Sequence, residues 1–207
     1  MSNGYLVFIP DVVFRKGEPG ASSYDAVVSG VKSLIDRYDF IDKDRIALNG
    51  HSWGGYQIAF LVTRTNMFKA AVSGAPVVNM TSAYGGIRWE SGKSRMFQYE
   101  QTQSRIGGTL WDKPAEFIRN SPLFFLPQVQ TPVLIMHNDK DGSVMWEQGI
   151  EFFMALRRLD KPVWLFNYKG EGHHLKKWEN RLDYSRRVME FYDYYLKDGK
   201  KPEWMKS

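Results

Sequence analysis

With 207 residues, 43% of them hydrophobic and 15% aromatic, the chain can bury one substantial core, and two domains would each be small. Its 28 Lys and Arg against 23 Asp and Glu give a net charge of +5, which reads as a basic solvated surface; no nucleic-acid motif accompanies the basic residues, so no nucleic-acid partner is expected. The absence of cysteine excludes disulfide scaffolds and thiolate chemistry, and leaves the compartment open.

The first element is an unbroken apolar run, Tyr5 to Ile9 ended by Pro10, the pattern of a strand covered on both faces. It is too short to cross a bilayer and lacks the charged start and cleavage site of a secretory signal. No membrane partner is expected, and the reading is a soluble chain whose full-length parent is cytoplasmic or periplasmic. A Gly/Pro loop follows, then an amphipathic helix from about Tyr24 to Asp36 with Ala26, Val27, Val31, Leu34 and Ile35 on one side. Arg45 to Asn49 predicts a second strand, Tyr56 to Thr65 the helix behind it, and Ala70 to Ser73 a third strand. The stretch from about 79 to 125 is long, aromatic and irregular, which suggests an inserted cap or binding segment within a single domain over 1–207. Pro132 to His137 predicts a fourth strand, Met145 to Leu159 a helix, Val163 to Tyr168 a fifth strand and Trp178 to about Leu196 a closing helix. Strands alternating with helices predict the α/β class, a mostly parallel sheet with helices on both faces.

In such a sheet, ligands sit beyond the carboxyl ends of the strands. The loop after Asn49 reads Gly50-His51-Ser52-Trp53-Gly54-Gly55, a G-x-S-x-G between a predicted strand and a predicted helix. The glycines two before and two after Ser52 are expected to be places where a side chain would collide with neighbouring backbone. That turn lifts the Ser52 hydroxyl above the sheet and leaves the Trp53 N–H free to donate to an oxyanion. A serine nucleophile needs a histidine base, and the base needs a carboxylate. His51 lies inside the turn, His137 closes a strand and reads as a packed support, and His173 or His174 lies in the loop Lys169-Gly170-Glu171-Gly172-His173-His174. Asp139 or Asp141 follows the fourth strand. Spacing alone leaves both choices open. Because His173 and His174 are adjacent, their side chains are expected to diverge, and no H-E-x-x-H or Cys pairing is present; no metal is expected. The turn also lacks the Lys-Ser/Thr ending of a phosphate loop.

Asp42-Lys43-Asp44-Arg45-Ile46 leading into Gly50-His51-Ser52-Trp53-Gly54-Gly55-Tyr56, with the D-x-x-V at Asp141 and Val144 and the G-E-x-H at Gly170, Glu171 and His173, closely resembles the catalytic domain of the prolyl oligopeptidase family of serine peptidases, which includes dipeptidyl and acylaminoacyl peptidases. The resemblance runs essentially end to end. It implies an α/β-hydrolase fold with Ser52 as nucleophile, Asp141 rather than Asp139 as acid and His173 rather than His174 as base; Met145 stands where many relatives have Pro. Members normally carry a β-propeller and eight strands, of which S-N-G-Y-L-V-F-I-P looks like the fourth. The resemblance therefore implies a chain without the propeller and the first three strands, with Tyr5 to Pro10 either paired to Arg45–Asn49 in a five-stranded sheet or beside an open gap. It also implies loss of a tyrosine oxyanion donor, a change that typically costs about 100- to 1,000-fold in rate.

The expected function is a serine peptidase acting on a peptide substrate through an acyl-enzyme, without metal or organic cofactor. Tyr84 and Trp89, with Trp53, are candidates to line a substrate pocket. A carboxylester hydrolase is the alternative within the enzyme class. An inactive fragment or binding module without a complete oxyanion hole is the alternative outside it.

Overall fold

A computed structural model describes residues 3–206; Met1 and Ser2, the start of the S-N-G-Y stretch, and Ser207 lie outside the described residues. Four strands run parallel in the order β1 (Ala47–His51), β2 (Ala70–Gly74), β5 (Val133–Met136), β6 (Val163–Phe166). The two inner strands, AAVSG and VLIM, are buried at every position, as an apolar run with no polar alternation requires when both faces are covered. Successive side chains of a strand point to opposite faces, and the packing divides accordingly. Ala71, Val133, Ile135 and Val163 meet α1 (Pro19–Arg37), α2 (Trp53–Val62) and α6 (Trp146–Arg158) on one face. Ala70, Val72, Leu134 and Trp164 meet α7 (Trp178–Leu196) and Met205 on the other.

Register decides where the loops emerge. His51 pairs with Gly74, Gly74 with Met136, and Met136 with Phe166, so four strand ends lie in one row. The segments after β1, β5 and β6 leave from that row on the same side of the sheet.

Two expectations are corrected here. Tyr5 to Pro10 is not a strand, nor is it covered: Leu6, Val7 and Ile9 are 71%, 67% and 85% exposed. Among the described residues the main sheet has four strands, not five. An apolar run forms a core strand only where a neighbouring strand offers its edge, and the backbone of this segment is not paired with β1. It is held by side chains: the Tyr5 hydroxyl donates to Asp193 Oδ1 at 2.7 Å, the ring lies edge-on to Tyr192, and the Lys197 ammonium sits over it at 4.0 Å.

The segment from 79 to 125 is organised, although it reads as irregular. It contains α3 (Met80–Tyr84), an antiparallel hairpin of β3 (Ile87–Arg88) and β4 (Lys93–Ser94), α4 (Met96–Glu100) and α5 (Pro114–Arg119), and runs into a 3-10 stretch, Pro122–Gln128. Its own apolar cluster of Met80, Tyr84, Tyr99, Ile106 and Phe117 rests on Tyr56 and Phe60 of α2 and on Val144. Elements this short carry too few periodic positions to declare a helix or strand in sequence.

Candidate active site

Ser52 stands between β1 and α2 with φ 59° and ψ −118°, a conformation that a residue with a side chain adopts only when its surroundings hold it there. Two hydrogen bonds do so: Ser52 N–H donates to Gly74 O at 2.8 Å, and Ser52 O accepts from Tyr56 N–H at 3.0 Å. The glycine pattern is only partly as expected. A Cβ on Gly50 would come within 2.5 Å of the Gly54 carbonyl oxygen, so that position admits no side chain. Gly54, two after the serine, has nothing nearer than 4.0 Å to its own Cβ position. The constrained residue on that side is Gly55, whose Cβ would lie 2.2 Å from Gly74 O. This close approach sets α2 against β2, and with it the N-terminus of α2 beneath Ser52. Trp53 is the first residue of α2, where an N–H has no acceptor within the helix.

The three loops converge on that hydroxyl. His173 Nε2 lies 2.8 Å from Ser52 Oγ, and His173 Nδ1 lies 2.8 Å from Asp141 Oδ2. The other carboxylate oxygen of Asp141 accepts from the N–H groups of Ser143 and Val144, both at 2.8 Å. Burial pushes the Asp141 carboxyl up, but hydrogen bonds from His137 and His173 and from the Val144 N–H outweigh it and hold the group well below the usual carboxylate range. Asp141 is therefore ionised, and faces an imidazole whose other nitrogen meets a serine. A hydroxyl in that chain of hydrogen bonds can lose its proton to the ring as it attacks a carbonyl.

The choices that spacing left open divide by position. Asp139 does not reach a histidine: its Oδ1 accepts from Gly170 N–H at 2.8 Å and so shapes the loop that carries His173. His174 is exposed and its ring lies 4.8 Å from that of His51. The expectation that His173 and His174 diverge is corrected, because their ring centroids are 4.8 Å apart and both face His51. Burial, followed by the neighbouring rings of His173 and His174, pushes His51 down to about 4, so it is neutral at ordinary pH.

Tyr84 is 2% exposed; its hydroxyl donates to Glu100 Oε1 at 2.6 Å and its ring is packed edge-on against Tyr99, Trp111 and Phe117. It is a core residue of the 79–125 segment and presents no surface to a substrate. Trp89 is 71% exposed between the strands of the β3–β4 hairpin. Its neighbour Glu90 is tied to the acid loop, donating its N–H to Gly142 O at 3.3 Å and accepting from the Ser143 hydroxyl at 3.0 Å. Trp53 stacks on Tyr56 at 4.4 Å.

Three further residues support the acid and base loops. Arg95, 2% exposed, donates through Nη1 to the Ser143 carbonyl. Asn138 joins the acid and base loops, donating to Gly172 O at 2.8 Å and accepting from Tyr168 N–H at 3.0 Å. Glu171, 3% exposed, accepts from Lys176 N–H, Lys177 N–H and Asn180 Nδ2. Of these only Glu171, inside the G-E-x-H stretch, lay in a motif that could have drawn notice.

The chain is 31% identical over 166 residues to the uncharacterized peptidase YuxL of Bacillus subtilis, covering 78% of this chain and 23% of that protein. It is 29% identical over 174 residues to the human acylamino-acid-releasing enzyme, covering 81% and 22%. The chain thus spans about a quarter of the length of the curated relatives it matches. The acylaminoacyl peptidase of Pyrococcus horikoshii superposes on it with a TM-score of 0.81 at 20% identity, over 93% of this chain and 30% of that one, which shows a shared α/β-hydrolase fold. The family model for the prolyl oligopeptidase family matches residues 14–199, nearly the whole described chain, and the chain belongs to that family.

Proposed function

We propose that this chain is a serine-type peptidase domain that cleaves peptide bonds through an acyl-enzyme intermediate. The observation that carries the reading is the unbroken line Ser52 Oγ, His173 Nε2, His173 Nδ1, Asp141 Oδ2, with 2.8 Å at each contact between residues. Ser52 Oγ attacks the substrate carbonyl while its proton passes to His173 Nε2, and Asp141 balances the imidazolium. The oxyanion lies against the Trp53 N–H, where the first turn of α2 adds the positive end of its dipole. When the tetrahedral species collapses, His173 returns the proton to the leaving amine and Ser52 keeps the acyl group. Water, deprotonated by the same ring, then releases the acid and restores the hydroxyl.

A peptide substrate is favoured because the relatives are described as a peptidase and as an acylamino-acid-releasing enzyme. Trp89, exposed on a hairpin bonded to the acid loop, is an aromatic expected to touch a bound chain. The resemblance that implies a propeller, together with relatives about four times as long, favours a further domain in the whole protein. Among the described residues no helix is long and apolar enough to cross a membrane.

A fluorophosphonate probe tests the reading directly. The adduct is expected on Ser52 by peptide mapping, and is expected to disappear in Ser52→Ala and His173→Ala. Turnover of a prolyl or alanyl anilide should fall by roughly 10,000-fold or more in either variant. An unlabelled native chain would overturn the nucleophile assignment, and turnover of a nitrophenyl ester without any anilide cleavage would favour an esterase.

A further inference from the structure

His51, His173 and His174 each bring one ring nitrogen to a common point, all within 4.8 Å of one another. Two of these rings have free capacity. His51 Nε2 is buried without a hydrogen-bond partner, a polar atom left dry at a cost that a ligand would remove. His174 is exposed, so the group opens to solvent. Three imidazoles make a ligand set for a borderline-soft divalent ion, with the fourth tetrahedral position left to water. Ligand nitrogens about 2 Å from such an ion lie roughly 3.4 Å apart, so side-chain rotations of about 1.5 Å or less close the set.

The third ring arrives already oriented. His173 directs Nδ1 to Asp141 Oδ2, the carboxylate–histidine pairing that fixes the tautomer and makes the opposite nitrogen the stronger ligand. That opposite nitrogen is Nε2, which lies 2.8 Å from Ser52 Oγ. A single lone pair cannot hold a metal ion and accept the serine proton at once.

We propose that His51, His173 and His174 form a switch site for a zinc-class divalent cation, whose binding takes His173 Nε2 from Ser52 and silences the nucleophile. The binding half stands on the three rings alone, and the silencing half rests on the reading of Ser52 as nucleophile. Magnesium and calcium, which prefer oxygen ligands, are not expected to occupy the site.

Calorimetric titration of the Ser52→Ala chain with zinc chloride reads binding without catalysis. One ion per chain is expected, with no heat from magnesium, and His174→Ala is expected to weaken binding by at least about tenfold, the least that loss of a direct ligand should cost when loss of a supporting group costs that much. With Ser52 in place, zinc is expected to block fluorophosphonate labelling and a chelator to restore it. His174→Ala is expected to label normally in the absence of metal and to need correspondingly more zinc for the same block. Absent binding, or binding unmoved by both His174→Ala and His51→Phe, overturns the site. Zinc binding with undiminished labelling overturns the switch, as does zinc-driven hydrolysis by Ser52→Ala. A metal-free native chain that fails to label counts against the nucleophile instead, and the calorimetry still decides whether the three rings hold an ion.

Discussion

Asp141 Oδ2 is shared by two histidines: His173 Nδ1 approaches it to 2.8 Å and His137 Nε2 to 3.3 Å. The same His137 nitrogen lies 3.1 Å from the Val144 carbonyl oxygen, which only accepts, so the His137 proton sits on Nε2 and is divided between a carbonyl and the carboxylate. His137 thus holds the same oxygen of Asp141 as the base does, and both His137 and Asp141 are buried.

His137→Phe keeps a ring in the space and removes the donor. Asp141 then loses one of the hydrogen bonds that hold its carboxyl low. A depressed folded-state value contributes stability that is present above the ordinary carboxylate value, near 4, and is lost as pH falls through the folded value. The variant is therefore expected to unfold at higher pH than the parent on acidification, followed by circular dichroism. Its kcat should also fall by about tenfold, the equivalent of one charge-assisted hydrogen bond of modest length. Superimposable acid titrations would remove His137 from any role in holding the carboxylate.

The two glycines after Trp53 make an opposed pair. Gly55→Ala places a methyl group 2.2 Å from Gly74 O, backbone against backbone, and should cost about 1 to 3 kcal/mol as α2 is pushed from β2. Gly54→Ala meets nothing nearer than 4.0 Å, lies in the helix, and should gain about 0.5 to 1 kcal/mol from propensity. Urea denaturation of the two variants decides the matter. Equal effects would mean that the close contact between α2 and β2 does not set the turn.

What could be read in the sequence and what could not divides on the same point. The closing helix, Trp178–Leu196, has the predicted limits because its apolar period and its boundaries are local properties. The convergence of Ser52, Asp141 and His173 was legible because each lies in a motif and because parallel strands send their following loops to one end. Gly54 and Gly55 were not separable, since the atom that distinguishes them belongs to Gly74, in another strand. Arg95 and Asn138 act across 48 and 34 residues of chain, and no spacing reveals such partners. The misreading of Tyr5 to Pro10 has the same root: apolar composition indicates what a segment could bury, whereas burial depends on the edge beside it.

Backbone strain at Ser52 can be isolated with two substitutions. Ser52→Ala and Ser52→Gly both remove the hydroxyl and its contact with His173, and the serine side chain makes no cap bond in α2. They differ in the cost of holding φ at 59° and ψ at −118°, which glycine adopts freely. The glycine variant is expected to be the more stable by about 1 kcal/mol, a difference of roughly 2–4 °C in Tm for a chain of this size. An alanine variant equal to or above it in Tm would show that the turn stores no strain.

Glu171 offers a test of how far the base loop depends on its anchor. Its carboxylate accepts from Lys176 N–H at 2.8 Å, Lys177 N–H at 3.0 Å and Asn180 Nδ2 at 2.7 Å, and so ties the loop bearing His173 to the start of α7. The Lys176 N–H is foremost in holding the Glu171 carboxyl below its usual range, against the opposing effect of burial. Glu171→Gln replaces one accepting oxygen with an NH2 group facing a donor, so at least one of the three bonds fails. The loop is then free to carry His173 away from Ser52 by fractions of an ångström. Since the substituted group touches no substrate, kcat should fall by about tenfold or more with KM nearly unchanged. Because the folded-state carboxyl is depressed, the stability it contributes is present above the ordinary carboxylate value and lost as pH falls. The deficit of the variant is therefore expected to be full at neutral pH and to shrink on acidification. A constant deficit across that range, or a change confined to KM, would place Glu171 outside the support of the base.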